Sequence, residues 1–254
     1  MSKLFIVATP IGNLKDITLR ALDVLREADL ILCEDTRTTK KLLERYQISK
    51  PILSYHQHSR LAKIDYILNQ LQKGKNLALV SEAGTPGISD PGNKLIEGVV
   101  EKLGEAVEII PIPGPSALIS ALSISGFSAD KFLFLGFPPS KKRRKKFFQE
   151  AINSKYTVIF YESPHRIIKA LNELTVIARP KTEAIPRYST GLLRSAHNDN
   201  RQIVVCRELT KKFETIYRGD IEKVIHQIQA DKIKGEFVVI IDKEAKPPTS
   251  LWEA

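Results

Sequence analysis

The residues best suited to chemistry lie between Asn76 and Gly92, NLALVSEAGTPGISDPG. An unbroken apolar run, Leu77 to Val80, stops abruptly at Ser81-Glu82. Gly84, Gly87 and Gly92 let the backbone come close to a ligand, and Pro86 and Pro91 hold the loop's shape. A loop after a buried parallel strand is where open α/β sheets bind ligands. The plainer alternative is a strand-to-helix turn, although such turns usually take only about two to six residues. Gly87 to Gly92 has the glycine spacing of a phosphate loop, but Asn93-Lys94 stands where Lys-Ser/Thr should follow. No G-x-G-x-x-G follows a strand, so a dinucleotide fold has no support.

Other clusters offer weaker signals. His56 and His58 would share a face of a strand, but no third ligand has suitable spacing, so no metal is expected. Lys141, Lys142, Arg143, Arg144, Lys145 and Lys146 form a run that is either a solvated helix face or a grip on phosphates. Cations at a helix start oppose the macrodipole by roughly 0.3–1 kcal/mol each, a cost more easily understood if the run meets an anion. Glu162-Ser163-Pro164-His165-Arg166 and Arg207-Glu208-Leu209-Thr210-Lys211 each follow an apolar run. They read either as capping and ion pairing or as a wall of charges orienting a polar substrate. No Ser-His-Asp or Cys-His arrangement can be argued from this order of residues.

The elements that must position these residues alternate. Leu4–Thr9, Asp29–Cys33, Pro51–Ser54, Leu77–Val80 and Val107–Ile110 read as strands. Helices are expected from Ile17 to Leu25 with Asp16 as cap, from about Thr38 to Tyr46, from Leu61 to Leu71 with Gly74 as stop, and from Asn93 to Leu103. Residues 1–112 therefore predict a parallel sheet flanked by helices, with every motif at one sheet edge. A second α/β domain is expected over 113–254, with strands at Lys131–Leu135, Tyr156–Tyr161, Gln202–Cys206 and Phe237–Ile241. Helices are expected at Ser116–Ser125, after Arg166 to about Val176, and at Ile221–Ile228. Residues 178–201 show no sustained period and form an atypically long connection, and the polar tail is expected to fray.

Bulk properties narrow the class. An apolar content of 43% rules against a disordered chain, and a net charge of +10 favours a polyanionic partner, nucleic acid first. Cys33 and Cys206 both sit in apolar runs and read as core residues rather than a disulfide. No signal peptide or 18-residue apolar run is present, which predicts a cytoplasmic protein with no membrane partner.

Taken in order, TPIGNLKDITLRAL (9–22), CEDTR (33–37), LVSEAGTPGISDPG (79–92), PIPGPSALISALSISG (111–126), GFPP (136–139), FYESPHR (160–166), RELTKKFET (207–215) and GEFVVI (235–240) resemble a known family. It is the small-subunit (16S) ribosomal RNA cytidine 2′-O-methyltransferases, a branch of the tetrapyrrole methylase superfamily. The resemblance spans about residues 3–241. It implies two α/β domains, a parallel sheet in the first and a mixed sheet in the second, with a cleft between them. It further implies S-adenosylmethionine as cofactor, 16S ribosomal RNA of the small subunit as partner, and a homodimer. By motif it assigns Pro10, Gly12, Glu82, Ala83, Gly84, Thr85, Pro86, Pro113, Gly114, Ser116, Ala117 and Tyr161 to the cofactor.

Methyl transfer to a ribose hydroxyl invites a general base, and Glu82, Asp35, Glu208 and His165 remain alternatives. Arg37, Arg166, Arg207 and Lys211, together with the run at 141–146, are the residues expected to meet RNA. Glu82 stands where the family commonly has Asp, and 178–201 looks longer than the family's connection. The alternatives are a precorrin-type or diphthine-type methyltransferase of the same superfamily, and a non-catalytic RNA-binding assembly factor.

Overall fold

The structure is a computed structural model that describes residues 1–56, 61–90, 92–178 and 201–245. His58, residues 179–200 of the long connection and the tail from 246 lie outside the described residues. The chain divides into two compact units, Met1–Ala117 and Leu118–Ala254.

The first unit is built on five short apolar strands, β1 (Ser2–Val7), β2 (Leu30–Cys33), β3 (Ile52–Ser54), β4 (Leu77–Val80) and β5 (Val107–Ile112). All pair in parallel, in the order β3-β2-β4-β1-β5, with Leu4 opposite Leu77 on one side and Ile109 on the other. Alternation along β1 explains the layering. Phe5 and Val7 pack against α1 (Leu19–Glu27) and α2 (Thr36–Arg45) through Leu22, Leu25, Leu42 and Leu43. Leu4 and Ile6 face the other way, against α3 (Leu61–Gln72) and α4 (Gly92–Leu103) through Ile67, Leu71, Leu95 and Val99. The chain leaving β1 thus enters a helix on one face, and the chain leaving its neighbour β4 enters a helix on the other. The crevice between those two loops is the topological switch point of the sheet.

One local expectation is corrected. The cap of α1 is Thr18, whose hydroxyl accepts from Ala21 N at 3.1 Å, while Asp16 belongs to a 3₁₀ turn over Leu14–Asp16. A threonine directly before the apolar face reaches the orphan amide, and a residue two positions earlier does not.

The second unit holds α5 (Ala117–Ser123, whose first residue belongs to the first unit), β6 (Phe132–Phe134), α6 (Arg144–Asn153), β7 (Thr157–Glu162), α7 (Ile167–Ala178), β8 (Arg201–Arg207), β9 (Thr215–Asp220), α8 (Ile221–Gln229) and β10 (Phe237–Ala245). Its mixed sheet runs β6-β7-β10-β8-β9, parallel only between β6 and β7. Phe148, Leu171 and Val224, from α6, α7 and α8, pack with Phe160, Val205 and Val239 of the sheet into one core. β9 has no counterpart in the sequence expectation. It is an edge strand in which Tyr217 alone is buried, so its pattern is too polar to announce it.

Candidate active site

Because the strands of the first unit are parallel, their carboxyl ends share an edge, and the motif loops meet there. Thr9 and Gly84 form a two-bond bridge, Thr9 N to Gly84 O at 2.9 Å and Gly84 N to Thr9 O at 3.0 Å. The Thr9 hydroxyl donates to Ser81 O at 3.2 Å, and the Ser81 hydroxyl donates to Gly84 O at 3.0 Å. The loop after β5 joins through the Thr85 hydroxyl, which donates to Pro115 O at 3.3 Å. Gly84 has φ +83°, and a Cβ there would sit 3.4 Å from Ile11 Cγ2 and 3.6 Å from Pro115 O. Gly114 passes so close to β1 that its Cβ would lie 3.0 Å from Ala8 Cβ. Glycine is thus favoured at Gly84 by its backbone angle and at Gly114 by crowding.

The structure therefore brings together Pro10 and Gly12, then Glu82, Ala83, Gly84, Thr85 and Pro86, then Pro113, Gly114, Ser116 and Ala117. Gly12, Glu82, Ala83, Pro113 and Gly114 are exposed along this edge, while Pro10, Gly84 and Pro86 are buried beneath it. Polar backbone presented by a fixed loop at a switch point is a setting for a small polar ligand.

Carboxylates crowd the same edge. Asp90 Oδ1 accepts from Gly87 N and Gly92 N, which folds the loop back on itself. Glu34, at the end of β2, is half-buried, and its carboxyl is raised above the usual carboxylate range by burial, then by the charges of Asp90 and Glu82. Among the described residues none of Glu34, Glu82 and Asp90 makes an ion pair. Glu34 was not among the residues singled out from the sequence, and its place beside Asp35 in CEDTR hid it. Only the structure shows that Glu34 faces the acidic edge while Asp35 caps α2. Asp35 accepts from Arg37 N at 2.8 Å and pairs with the Arg37 guanidinium at 3.0 Å. The Arg37 side chain and then the Arg37 amide hold the Asp35 carboxyl below its ordinary range.

The second unit gathers the other motif residues at strand ends. Tyr161, late in β7, stacks edge-on against Phe134 with centroids 5.0 Å apart and lies 5.3 Å from Phe137. Glu162 is buried between Arg144, at 3.6 Å, and Arg166, at 2.9 Å. His165 is exposed in the turn before α7. Arg207, expected to face phosphates, is instead buried, pairing with Asp231 at 3.0 Å and donating to Thr215 Oγ1 at 2.9 Å. Glu208 Oε1 accepts from Lys211 Nζ at 2.9 Å and from Glu236 N at 2.9 Å. Burial raises the Glu208 carboxyl, but Lys211 and the Glu236 amide outweigh it and hold the group low. A Cβ on Gly235 would strike the Glu208 side chain at 2.3 Å, which explains the glycine of GEFVVI.

Arg144 departs from the rest of its run. Lys141, Lys142, Arg143, Lys145 and Lys146 are exposed, whereas Arg144 is buried, bonds Glu173 at 2.7 Å and lies 4.9 Å from the centre of the Phe148 ring. Burial by packing, invisible in a run of six cations, separates one structural arginine from five free cations. No group of three His, Cys, Asp or Glu is arranged to hold a metal among the described residues, and no described helix is long and apolar enough to cross a membrane.

Comparison with known proteins is consistent with this layout. The ribosomal RNA small subunit methyltransferase I of Halalkalibacterium halodurans is 40% identical over 99% of this chain and 80% of its own. Its counterpart in Thermotoga maritima is 40% identical over 95% of this chain and 98% of its own. Among solved structures, cobalt precorrin-4 methyltransferase superposes with a TM-score of 0.65 at 18% identity, over 96% of each chain. The methyltransferase CobJ superposes with a TM-score of 0.64 at 16% identity, over 98% of each, which is a likeness of fold. Residues 3–225 match the family described as Tetrapyrrole (Corrin/Porphyrin) Methylases, and to that family this chain belongs.

Proposed function

We propose that this chain transfers a methyl group from S-adenosylmethionine to the ribose 2′-hydroxyl of a cytidine in the 16S RNA of the small ribosomal subunit. The observation that carries the reading is the switch-point edge, where the bridged loops of β1, β4 and β5 meet three carboxylates without ion-pair partners. That donor set fits the group. Exposed backbone at Gly12, Ala83 and Gly114 suits polar ligand atoms, and unpaired carboxylates suit a ligand bearing ammonium and sulfonium charges. When bound, the cofactor supplies an electrophilic methyl group, so no metal is called for.

The chain's own work is to align and to accept a proton. Asp35 and Glu208 are poor acceptors, because Arg37 and Lys211 hold them ionised. Glu34 and Glu82 keep free carboxylates beside the cofactor loop, and Glu34 is made more basic by burial and by its acidic neighbours. A carboxylate with a raised pKa is the better base for a hydroxyl. Arg37 and Lys211 have exposed or half-buried side chains, and with the free cations of 141–146 they supply phosphate contacts that fix register without reading sequence. A tetrapyrrole acceptor draws support from the family's description and from fold likeness, whereas the relatives at about 40% identity are named as ribosomal RNA methyltransferases. The reading includes a homodimer acting in the cytoplasm, which light scattering on the purified protein tests in its first half.

The decisive experiment offers labelled S-adenosylmethionine with undermethylated small subunits, with the same RNA stripped of protein, and with a tetrapyrrole precursor. Label on one cytidine ribose is expected. Label on the tetrapyrrole alone overturns the reading.

A further inference from the structure

α6 and α7 lie side by side on the sheet of the second unit and enclose a groove of about 880 Å³. Lys141 enters it from the turn before α6, Lys145 from the first turn of α6, and Lys169 from the first turn of α7. Among the described residues none of these lysines makes an ion pair. The charges beneath them are already balanced, with Arg144 and Arg166 set against Glu162 and Glu173. The lysines are therefore a surplus.

Their placement breaks local rules twice. Cations in a first turn oppose the helix dipole, and here they do so on two neighbouring helices. The residue before α6, Arg143, has φ +66° and provides no side-chain cap, and the first amide of that helix, Arg144 N, has only a long 3.4 Å bond to Lys141 O. Buried Arg144 also lines the groove, and its Nη2 has no hydrogen-bond partner among the described residues. An anion in the groove would offset the first-turn cations and offer an acceptor to that weakly bonded helix start. Ile168 and Val176 line it too, and Val176 is 68% exposed, which gives an apolar surface beside the cations.

We propose that this groove holds single-stranded RNA, with phosphates on Lys141, Lys145 and Lys169 and a base against Ile168 and Val176. The proposal rests on the reading of an RNA substrate and adds a contact that no motif loop supplies. Cations beside an apolar surface suit a flexible strand, whose bases are free to leave the stack.

The test is fluorescence anisotropy with a short labelled single-stranded RNA, titrated from 50 to 200 mM salt, alongside binding of labelled S-adenosylmethionine. Each lost phosphate contact should reduce the salt slope by about 0.7, or roughly 2.6-fold in affinity across that range. Lys169→Ala and, independently, Lys145→Ala are expected to show that change with cofactor binding intact. Val176→Ser should weaken binding by about fourfold at every salt concentration with the slope unaltered, the effect of roughly one buried methylene. Unchanged affinity and slope in these variants overturn the groove while leaving the substrate reading standing. Wild-type protein that binds cofactor but no RNA overturns the groove, while the substrate reading then stands or falls on label transferred to assembled subunits. Variants that lose assembled subunits yet keep naked RNA would assign the groove to a ribosomal protein instead, and so refute it.

Discussion

Two glycines with the same backbone angle provide a controlled test of the proposed cofactor loop. Gly74 and Gly84 both have φ +83°. Gly74 closes α3, its amide bonding Leu71 O at 2.9 Å, and a Cβ there would meet nothing within 4 Å. Gly84 sits among the loops of β1, β4 and β5, with Ile11 Cγ2 at 3.4 Å from its would-be Cβ. Alanine in the left-handed region costs about 1–2 kcal/mol. A stiffer unfolded chain returns roughly 0.4–1 kcal/mol of that. The net, near 1 kcal/mol, lowers Tm by about 2–4 °C for a chain of this size. At Gly84 the 3.4 Å contact is ordinary, so Gly74→Ala and Gly84→Ala should lose similar stability by calorimetry. Only Gly84→Ala should weaken binding of labelled S-adenosylmethionine, by about tenfold for 1.4 kcal/mol. Gly84→Val adds γ carbons toward Ile11 and Pro115 and should cost a further 1–3 kcal/mol, roughly, by overpacking. Equal cofactor binding in both alanine variants would refute the placement of the cofactor on this loop.

Three further outcomes are expected. Glu34 has a raised folded pKa, so the native state favours the protonated form and loses stability as pH rises through the carboxylate range toward that pKa. Glu34→Gln should therefore raise Tm at neutral pH while lowering methyl transfer, and a lower Tm would contradict the burial assigned to it. Glu162→Ala leaves Arg144 with a lost partner in a buried site and should cost about 3–5 kcal/mol in chemical denaturation; a loss under 1 kcal/mol, within the roughly 0–1 kcal/mol range of surface pairs, would rule out that network as a buried one. Cys206 is buried and its thiol is pushed up to about 11 by burial, against the charge of Arg218, so it should resist a thiol reagent at pH 8 until denaturant is added.

What the sequence revealed depended on periodicity. The strands of the first unit are near-continuous apolar runs, LFIV, LILC and LALV, because both faces of a parallel sheet are covered, and such runs are easy to see. The gathering of loops at one edge then follows from parallel pairing alone. β9 escaped because an edge strand needs one buried residue, and Tyr217 between Ile216 and Arg218 shows no alternation to find. At the site, residue type was legible and partnership was not. Glu34 and Asp35 are adjacent acids in the sequence, yet one is raised and the other lowered, since burial and Arg37 act on them separately. Arg144 and Lys145 are likewise neighbours of one charge, and the step of about 100° between adjacent helical residues sends one inward to Glu173 and the other outward.

The order of strands in the second unit bears on synthesis. β10 lies at the middle of that sheet, between β7 and β8, yet it follows both in the chain. A nascent chain that stops short of Phe237 holds two half-sheets, each with an open edge of unpaired amides. The first unit has no such dependence, since its five strands are all present by Ile112. Translation therefore delivers a finished parallel sheet first and withholds the seam of the second until the end. Premature termination in this gene would leave its products with sticky edges and ready for proteolysis, rather than as partly active fragments.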